Sequence, residues 1–287
     1  MFQPHVQGLA QPDCGNSPRH THFKFRFPKE ARRFVGNDHC RNAQCTETGR
    51  GHRSIRSLYF KRYNWRKRMD AAAKQAVGSK YLFESMKYAQ GKTWEVVDRL
   101  AQLIQPGMLE SEATALCNDV LKEAGMERIW HPVLVRFGEN TLKTFKQRSD
   151  GDPRLQPSDI FFIDLGVVWN QHEGDAGATF VVGNDAEMKA CADAAKTVFD
   201  EVEQHWRLTG AGGTALYDFA AQRAEALGWR LNLDIKGHRV SDFPHAIYKA
   251  GDLGDFADCP DAGLWILEIQ LAHPARPFGA FYEDLLV

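Results

Sequence analysis

The chain has 287 residues, of which 43% are apolar and 25% are charged, a composition typical of globular domains. No apolar run reaches the ~18 residues that a membrane-spanning helix needs. No short basic head followed by an apolar stretch indicates a secretory signal. We therefore expect a globular protein that has no membrane partner.

Charge is distributed unevenly along the chain. Residues 1–68 contain 15 Lys and Arg but 4 Asp and Glu, whereas residues 69–287 contain 21 basic and 33 acidic residues. The first segment also lacks a sustained helical or strand period. It fits an organelle-targeting leader because it is rich in Arg and poor in acids, and a nucleic-acid-binding arm because basic and aromatic residues interleave. We favour a third interpretation, a disordered N-terminal extension, and do not expect nucleic-acid binding.

The six cysteines are scattered and show no pattern typical of a disulfide framework. Proteins of reducing compartments keep their thiols free. We therefore expect a cytoplasmic protein, with an organelle as the alternative if residues 1–68 are a leader.

A helical period begins after Met69, and the predicted elements follow in a mixed order. Two helices come first, ended by Pro106-Gly107 and by Gly125. A short strand over 133–135 precedes a strand pair over 160–169 and 176–182, joined by a polar turn over 170–173. Two further helices cover about 185–206 and 214–227. The last strand pair covers 264–271 and 279–287.

The first hairpin carries two acids. Asp164 lies inside an apolar strand, and Asp175 lies beside the turn. If the turn is centred between Trp169 and Asn170, the two acids lie directly opposite each other, with Cβ atoms roughly 4.5–5.5 Å apart. A buried carboxylate without a partner is costly, so this arrangement calls for a cation or a proton.

The second hairpin repeats this arrangement. Glu268 lies inside an apolar strand, and Glu283 lies opposite it if the loop is centred between Ala275 and Arg276. No Lys or Arg lies within these strands to neutralise the four acids. Two divalent cations ~3.5–4 Å apart, as in two-metal hydrolases, would do so.

The segment from Gly237-His238 to His245 supplies imidazoles. Mixed histidine and carboxylate ligands suit Mn, Co, Fe or Zn. Taken singly, each residue has an ordinary interpretation, because an Asp beside a turn is usually a cap and a Glu in a strand usually lies at an exposed edge. Those interpretations do not explain acids that end runs such as Phe-Phe-Ile-Asp and Trp-Ile-Leu-Glu.

This order of acids and histidine resembles the pita-bread metallopeptidases, the family of methionine aminopeptidase, aminopeptidase P and prolidase. The resemblance covers about residues 75–287. It implies an α+β fold, a curved and mainly antiparallel sheet covered by helices, and a catalytic domain over residues 69–287. The matching stretches are Ile163-Asp164-Leu165-Gly166, Asp175 through Thr179-Phe180, Gly237-His238, His245, Leu267-Glu268-Ile269 and Tyr282-Glu283-Asp284.

The resemblance also implies a role for each metal ligand. Asp164 would chelate one ion, Asp175 and Glu283 would bridge two ions, and His238 and Glu268 would hold the second ion. A hydroxide that bridges the ions would attack the scissile carbonyl, because coordination lowers the pKa of bound water. The cofactor would therefore be two divalent metal ions.

Three further roles follow from the resemblance. Glu268 would shuttle the proton, His245 would polarise the substrate carbonyl, and Thr179 would contact the metal carboxylates through its hydroxyl. The implied activity is that of an aminopeptidase or Xaa-Pro-type peptidase acting on a small peptide or amide, in a chain that could form a homodimer. The alternatives are hydrolysis of a non-peptide amide and a catalytically weak or inactive binding protein with the same fold.

The positions expected to contact the substrate depart from the family pattern. Phe145 stands where a substrate-facing His is usual, and Phe281 stands where the proline-directed members often have Arg. His131 or His172 could supply the missing imidazole. We therefore expect weak turnover of methionyl and Xaa-Pro peptides, and a substrate with an apolar group against Phe145 and Phe281.

Overall fold

The structure, a computed structural model, describes residues 71–245 and 250–287. The interpretation of residues 1–68 as a disordered extension lies outside these residues and stays a prediction. Among the described residues, no helix is both long enough and apolar enough to cross a membrane.

The described residues form four long helices and eight strands, with short 3-10 turns at Gly138–Leu142 and Leu253–Asp255. The helices are α1 (Phe83–Leu103), α2 (Glu110–Glu123), α3 (Ala186–Thr209) and α4 (Gly213–Ala226). The strands are β1 (Arg128–Ile129), β2 (Leu134–Phe137), β3 (Asp159–Trp169), β4 (His172–Val182), β5 (Arg230–Leu231), β6 (His238–Arg239), β7 (Trp265–Ala272) and β8 (Gly279–Leu285).

The strands form one antiparallel sheet in the order β1-β3-β4-β8-β7-β5, with β2 also paired to β3 and β6 also paired to β7. The two long hairpins, β3–β4 and β7–β8, therefore meet at the β4–β8 pair in the middle of the sheet. Residues more than a hundred positions apart in the sequence become cross-strand neighbours there.

Helices cover one face of the sheet in two groups. The helix α1 packs on β3 and β4, with α2 against α1 and β2, and the helix α3 packs on β7 and β8, with α4 against α3 and β5. Successive side chains of a strand point to opposite faces, so Ile163 and Leu165 enter the helical side while Asp164 points to the other face. In the same way Leu267 and Ile269 flank Glu268. The acids thus lie inside apolar runs because both faces of these strands are buried.

The turn of the first hairpin differs from the sequence prediction. Only Asn170 and Gln171 form the turn, both with positive φ (50° and 61°), which is the geometry of a two-residue hairpin loop. Asp164 therefore pairs with Gly177, and the predicted direct opposition of Asp164 and Asp175 is wrong. Moving the turn centre by one residue shifts the register by two, so both acids remain on the same face.

The second hairpin has the register that was predicted. Glu268 pairs with Glu283 across β7 and β8, as a loop centred between Ala275 and Arg276 requires.

Candidate metal centre

A row of cross-strand neighbours brings three acids together across four strands. Asp164 on β3 pairs with Gly177 on β4, Gly177 pairs with Glu283 on β8, and Glu283 pairs with Glu268 on β7. Gly177 leaves space in the middle of this row, because a Cβ atom there would lie 2.9 Å from Glu283 Oε1. Asp175 lies two residues from Gly177 on the same face.

The four carboxylates are almost inaccessible to solvent, with exposed fractions of 7% for Asp164, 0% for Asp175, 7% for Glu268 and 1% for Glu283. Asp164 Oδ1, Asp175 Oδ2 and Glu283 Oε1 are buried and have no hydrogen-bond partner in the described part of the chain. Burying charged oxygens without partners costs several kcal/mol or more. The donor set therefore fits bound cations, which would satisfy these oxygens.

Burial and neighbouring charges raise the pKa values of Asp164 and Glu283, whereas two histidines lower the pKa of Asp175. Burial, together with the charges of Asp175 and Glu268, raises the pKa of Asp164 to about 7. Burial and the neighbouring acids also raise the pKa of Glu283 well above its usual range. Burial alone would raise the pKa of Asp175 too, but His131 and His238 outweigh it and lower that pKa to about 2. The two imidazoles therefore favour the ionised form of Asp175.

Two imidazoles approach Asp175 from different elements. His238 Nε2 on β6 lies 2.9 Å from Asp175 Oδ2, but the two groups are not aligned for a hydrogen bond. His131 Nε2, on the segment between β1 and β2, lies 2.9 Å from Asp175 Oδ1 and 3.5 Å from Asp164 Oδ1. Two compact donor sets result, His131 with Asp164 and Asp175, and His238 with Asp175 and Glu283. Asp175 belongs to both.

Buried polar groups fix the backbone of the site. The Gln90 side chain on α1 accepts from the Asp175 N–H at 3.0 Å and donates to the Asp175 carbonyl. The Tyr217 hydroxyl on α4 donates to the Glu268 carbonyl at 2.9 Å, and the Gly237 N–H donates to Glu268 Oε2 at 2.7 Å. Side chains of α1 and α4 thus fix the backbone at Asp175 and Glu268.

His245 is held beside the centre by a residue that the sequence analysis missed. Glu173 is buried. Its Oε2 lies 2.6 Å from Nδ1 of the His245 ring, and its Oε1 accepts a hydrogen bond from the backbone N–H of His245 at 2.9 Å. Because Glu173 precedes Asp175 by two residues on β4, strand alternation alone places both on one face. The Trp130 ring packs edge-on against His245, with ring centroids 5.1 Å apart.

A cavity of about 290 Å³ opens onto the acids. Its floor includes Asp164, His238, Glu268 and Glu283, with Asp175 buried behind them. Its walls are largely apolar and carry Trp130, Pro132, Leu134, Phe145 and Ile235, together with His131 and His245. The Phe145 side chain lies at the rim, because 62% of the residue is exposed.

Three residues expected at the site have other contacts. His172 is outside the cavity, and both of its ring nitrogens bond to backbone, Nδ1 to the Asn170 carbonyl and Nε2 to the Leu82 N–H. Phe281 packs on Phe162 and, with Asp164 and Glu268, lines a side cavity of about 10 Å³, which holds at most one water. Thr179 exchanges hydrogen bonds with the Phe281 backbone instead of contacting the carboxylates.

Solved structures of three peptidases are similar to this chain. X-Pro aminopeptidase from Thermotoga maritima has a TM-score of 0.58 and 19% identity, over 77% of this chain and 60% of that one. Prolidase from Pyrococcus furiosus has a TM-score of 0.59 and 18% identity, over 82% and 70%. Methionine aminopeptidase from Thermotoga maritima has a TM-score of 0.55 and 16% identity, over 73% and 92%.

At these identities the likeness concerns the fold, and it confirms the predicted fold class. The chain spans less than two thirds of the length of the X-Pro aminopeptidase that it resembles. No curated protein sequence matches it.

The model of metallopeptidase family M24 matches residues 84–258. This match covers more than half of the chain and extends from α1 across β3, β4 and β6. The antiparallel sheet and the acids at its centre agree with it. The chain therefore belongs to metallopeptidase family M24.

Proposed function

We propose that this protein is a dinuclear metal-dependent peptidase that cleaves small peptides at the amino end. The observation that carries the proposal is the position of Asp175, fully buried between two donor sets, with one oxygen near His131 and the other near His238. A carboxylate shared in this way is suited to bridge two ions.

Five residues would hold the metal ions. Asp164 would bind one ion, His238 and Glu268 the other, and Asp175 and Glu283 both. The ions would supply a water of lowered pKa and polarise the scissile carbonyl. Imidazole and carboxylate together favour Mn, Co, Fe or Zn.

Two residues would handle protons and the substrate. One oxygen of the Glu268 carboxylate is fixed by the Gly237 N–H, and Glu268 lines the cavity floor, so it can take a proton from the attacking water and pass it to the leaving nitrogen. Glu173 holds Nδ1 of His245, which leaves Nε2 to contact the substrate at the scissile bond.

The cavity indicates a small, partly apolar substrate. Its volume of about 290 Å³ lies near the lower end of ordinary ligand pockets, so it can take one or two residues. The side chains that offer apolar contact are Phe145, Leu134 and Ile235. Phe145 stands where a substrate-facing histidine is usual, and a phenyl ring cannot donate a hydrogen bond to the substrate. Losing one hydrogen-bond donor can lower a rate by roughly 10²–10³. We therefore expect slow turnover of methionyl and Xaa-Pro peptides and a preference for another apolar residue against Phe145.

A peptide library digested by the metal-loaded protein tests this function. Mass spectrometry should detect loss of residues from the amino end, and removal of metal by a chelator should stop it. The Asp175→Asn variant, prepared in the same way, should be inactive because the shared carboxylate loses its charge. Cleavage that persists in that variant, or that ignores the chelator, would contradict the proposal. A metal-loaded protein that cleaves none of the peptides would favour a non-peptide amide substrate or a binding role.

A further inference from the structure

His131 lies at the metal centre although the five-ligand set implied by the family resemblance does not include it. Its Nε2 is 2.9 Å from Asp175 Oδ1 and 3.5 Å from Asp164 Oδ1. The two oxygens and this nitrogen lie close enough together to surround one ion. A role as a substrate contact on the cavity wall does not account for this position against the acids.

The geometry of His131 mirrors that of His238. In each residue Nδ1 contacts the carbonyl oxygen of the next residue, Pro132 at 3.0 Å and Arg239 at 3.1 Å. In each residue Nε2 approaches a different oxygen of Asp175 at 2.9 Å. Histidines that bind metals almost always donate their other ring N–H to a carbonyl or a carboxylate, because this fixes the tautomer and the ring orientation.

The surroundings of His131 leave space for its ring at this position. A Cβ atom on Gly166 would lie 1.9 Å from His131 Cδ2, so only glycine at this position in β3 admits the ring as it lies. The Trp130 ring packs edge-on against it, with centroids 4.5 Å apart. The Trp130 Nε1–H donates to the Gly174 carbonyl at 3.1 Å and ties the segment to β4.

We propose that His131 is a sixth protein ligand of the metal centre, which binds through Nε2 the ion that Asp164 and Asp175 also hold. This inference rests on the proposed metal site. The five-ligand set gives that ion carboxylate oxygens alone, whereas His131 adds a nitrogen, so each ion has one imidazole. Nitrogen donors favour Co and Zn over the harder Mn and Mg ions.

Cobalt titration of the full chain tests this assignment without using activity. Co²⁺ binding is followed by calorimetry and by visible absorption in the wild type, in His131→Ala and in His131→Gln, which keeps a polar side chain of similar reach. His205→Ala, on a histidine of α3 that stacks on Phe219, is the control. We expect both His131 variants to bind one Co²⁺ at least ten-fold more weakly, with a changed absorption spectrum, while the control matches the wild type. Free imidazole should restore part of the wild-type spectrum in His131→Ala.

The outcomes separate this inference from the proposed function. If the wild type binds Co²⁺ and both His131 variants bind it with the same affinity and spectrum, His131 is not a ligand, even if turnover falls. If the wild type binds no Co²⁺, the metal site itself is wrong. If His131→Ala does not fold, His131→Gln gives the affinity and the spectrum that decide.

Discussion

Gly177 leaves space between the carboxylates because glycine has no Cβ atom. It lies between Asp164 and Glu283 in the cross-strand row, and a Cβ atom there would meet Phe281 Cε1 at 2.6 Å and Glu283 Oε1 at 2.9 Å. These approaches are too close for real atoms, so a side chain would push the Glu283 carboxylate out of position. The space that Gly177 leaves is therefore part of the candidate metal centre.

A Gly177→Ala variant should bind metal more weakly while remaining folded. The matched control is Gly91→Ala, at an exposed position of α1 where a Cβ atom meets nothing within 4 Å. The control should keep wild-type metal affinity and gain about 0.5–1 kcal/mol of unfolding free energy, because alanine favours a helix more than glycine does. Calorimetric metal titration and chemical denaturation measure the two effects. Equal metal affinity in both variants would show that the space at Gly177 is not needed.

The sequence predicted individual residues unequally well. Acids inside apolar strands are recognisable because an unpaired buried charge is unfavourable, and this singled out Asp164 and Glu268. The contact of His131 with Asp175 was not predictable, because it depends on how the segment between β1 and β2 lies against β3 and β4. His172, the alternative to His131 as a source of imidazole, has both ring nitrogens bonded to backbone groups, and no sequence pattern indicates these contacts.

At the scale of elements, an ion-pair cluster links the start of α3 to the hairpin that carries Glu268 and Glu283. Asp185 caps α3 by accepting from the N–H groups of Glu187 and Met188. Arg276, in the β7–β8 loop, contacts Asp185 at 2.7 Å and Glu187 at 2.6 Å. Hydrogen bonding from Arg276 and then from the Met188 N–H lowers the pKa of Asp185 from 3.8 to about 2.

The lowered pKa of Asp185 predicts a pH-dependent contribution to stability. Folding favours the ionised form, so the stabilisation is present above about pH 4 and is lost as the pH falls towards about 2. Asp185→Asn should therefore have a lower Tm than the wild type at neutral pH, and the difference should shrink over that acid range. The control is Asp193→Asn, an exposed position of the same helix. A difference in Tm that is the same at all pH values would contradict the role of the charge.

The elements were predicted well where periodicity was strong. The four long strands and the helices α3 and α4 lie within a few residues of their predicted ranges, because long apolar runs and helical periods are clear signals. The predicted turn of the first hairpin is wrong by one residue because polar residues are typical of turns but also occur in buried strands. His172 and Glu173 are polar but belong to β4, where they are buried and have partners.

At the scale of the whole molecule, the acids come together only because β4 pairs with β8. Asp164 and Glu283 lie more than a hundred residues apart in the chain, yet both pair with Gly177. The pairing of the two hairpins could not be derived from either hairpin alone, and only the family resemblance indicated it. A metal ion held by both hairpins would link the two halves of the sheet and stabilise the folded chain.

The number of metal ions bound per chain tests the central claim most directly. After loading with Mn²⁺, Co²⁺ or Zn²⁺ and removal of free metal, elemental analysis of the wild type should give about two ions per chain for at least one of these metals, as a two-metal site requires. Asp175→Asn should give fewer than half as many, because the residue that both donor sets share loses its charge. A wild type that retains none of the three metals, or an Asp175→Asn variant with the same metal content as the wild type, would contradict the dinuclear site.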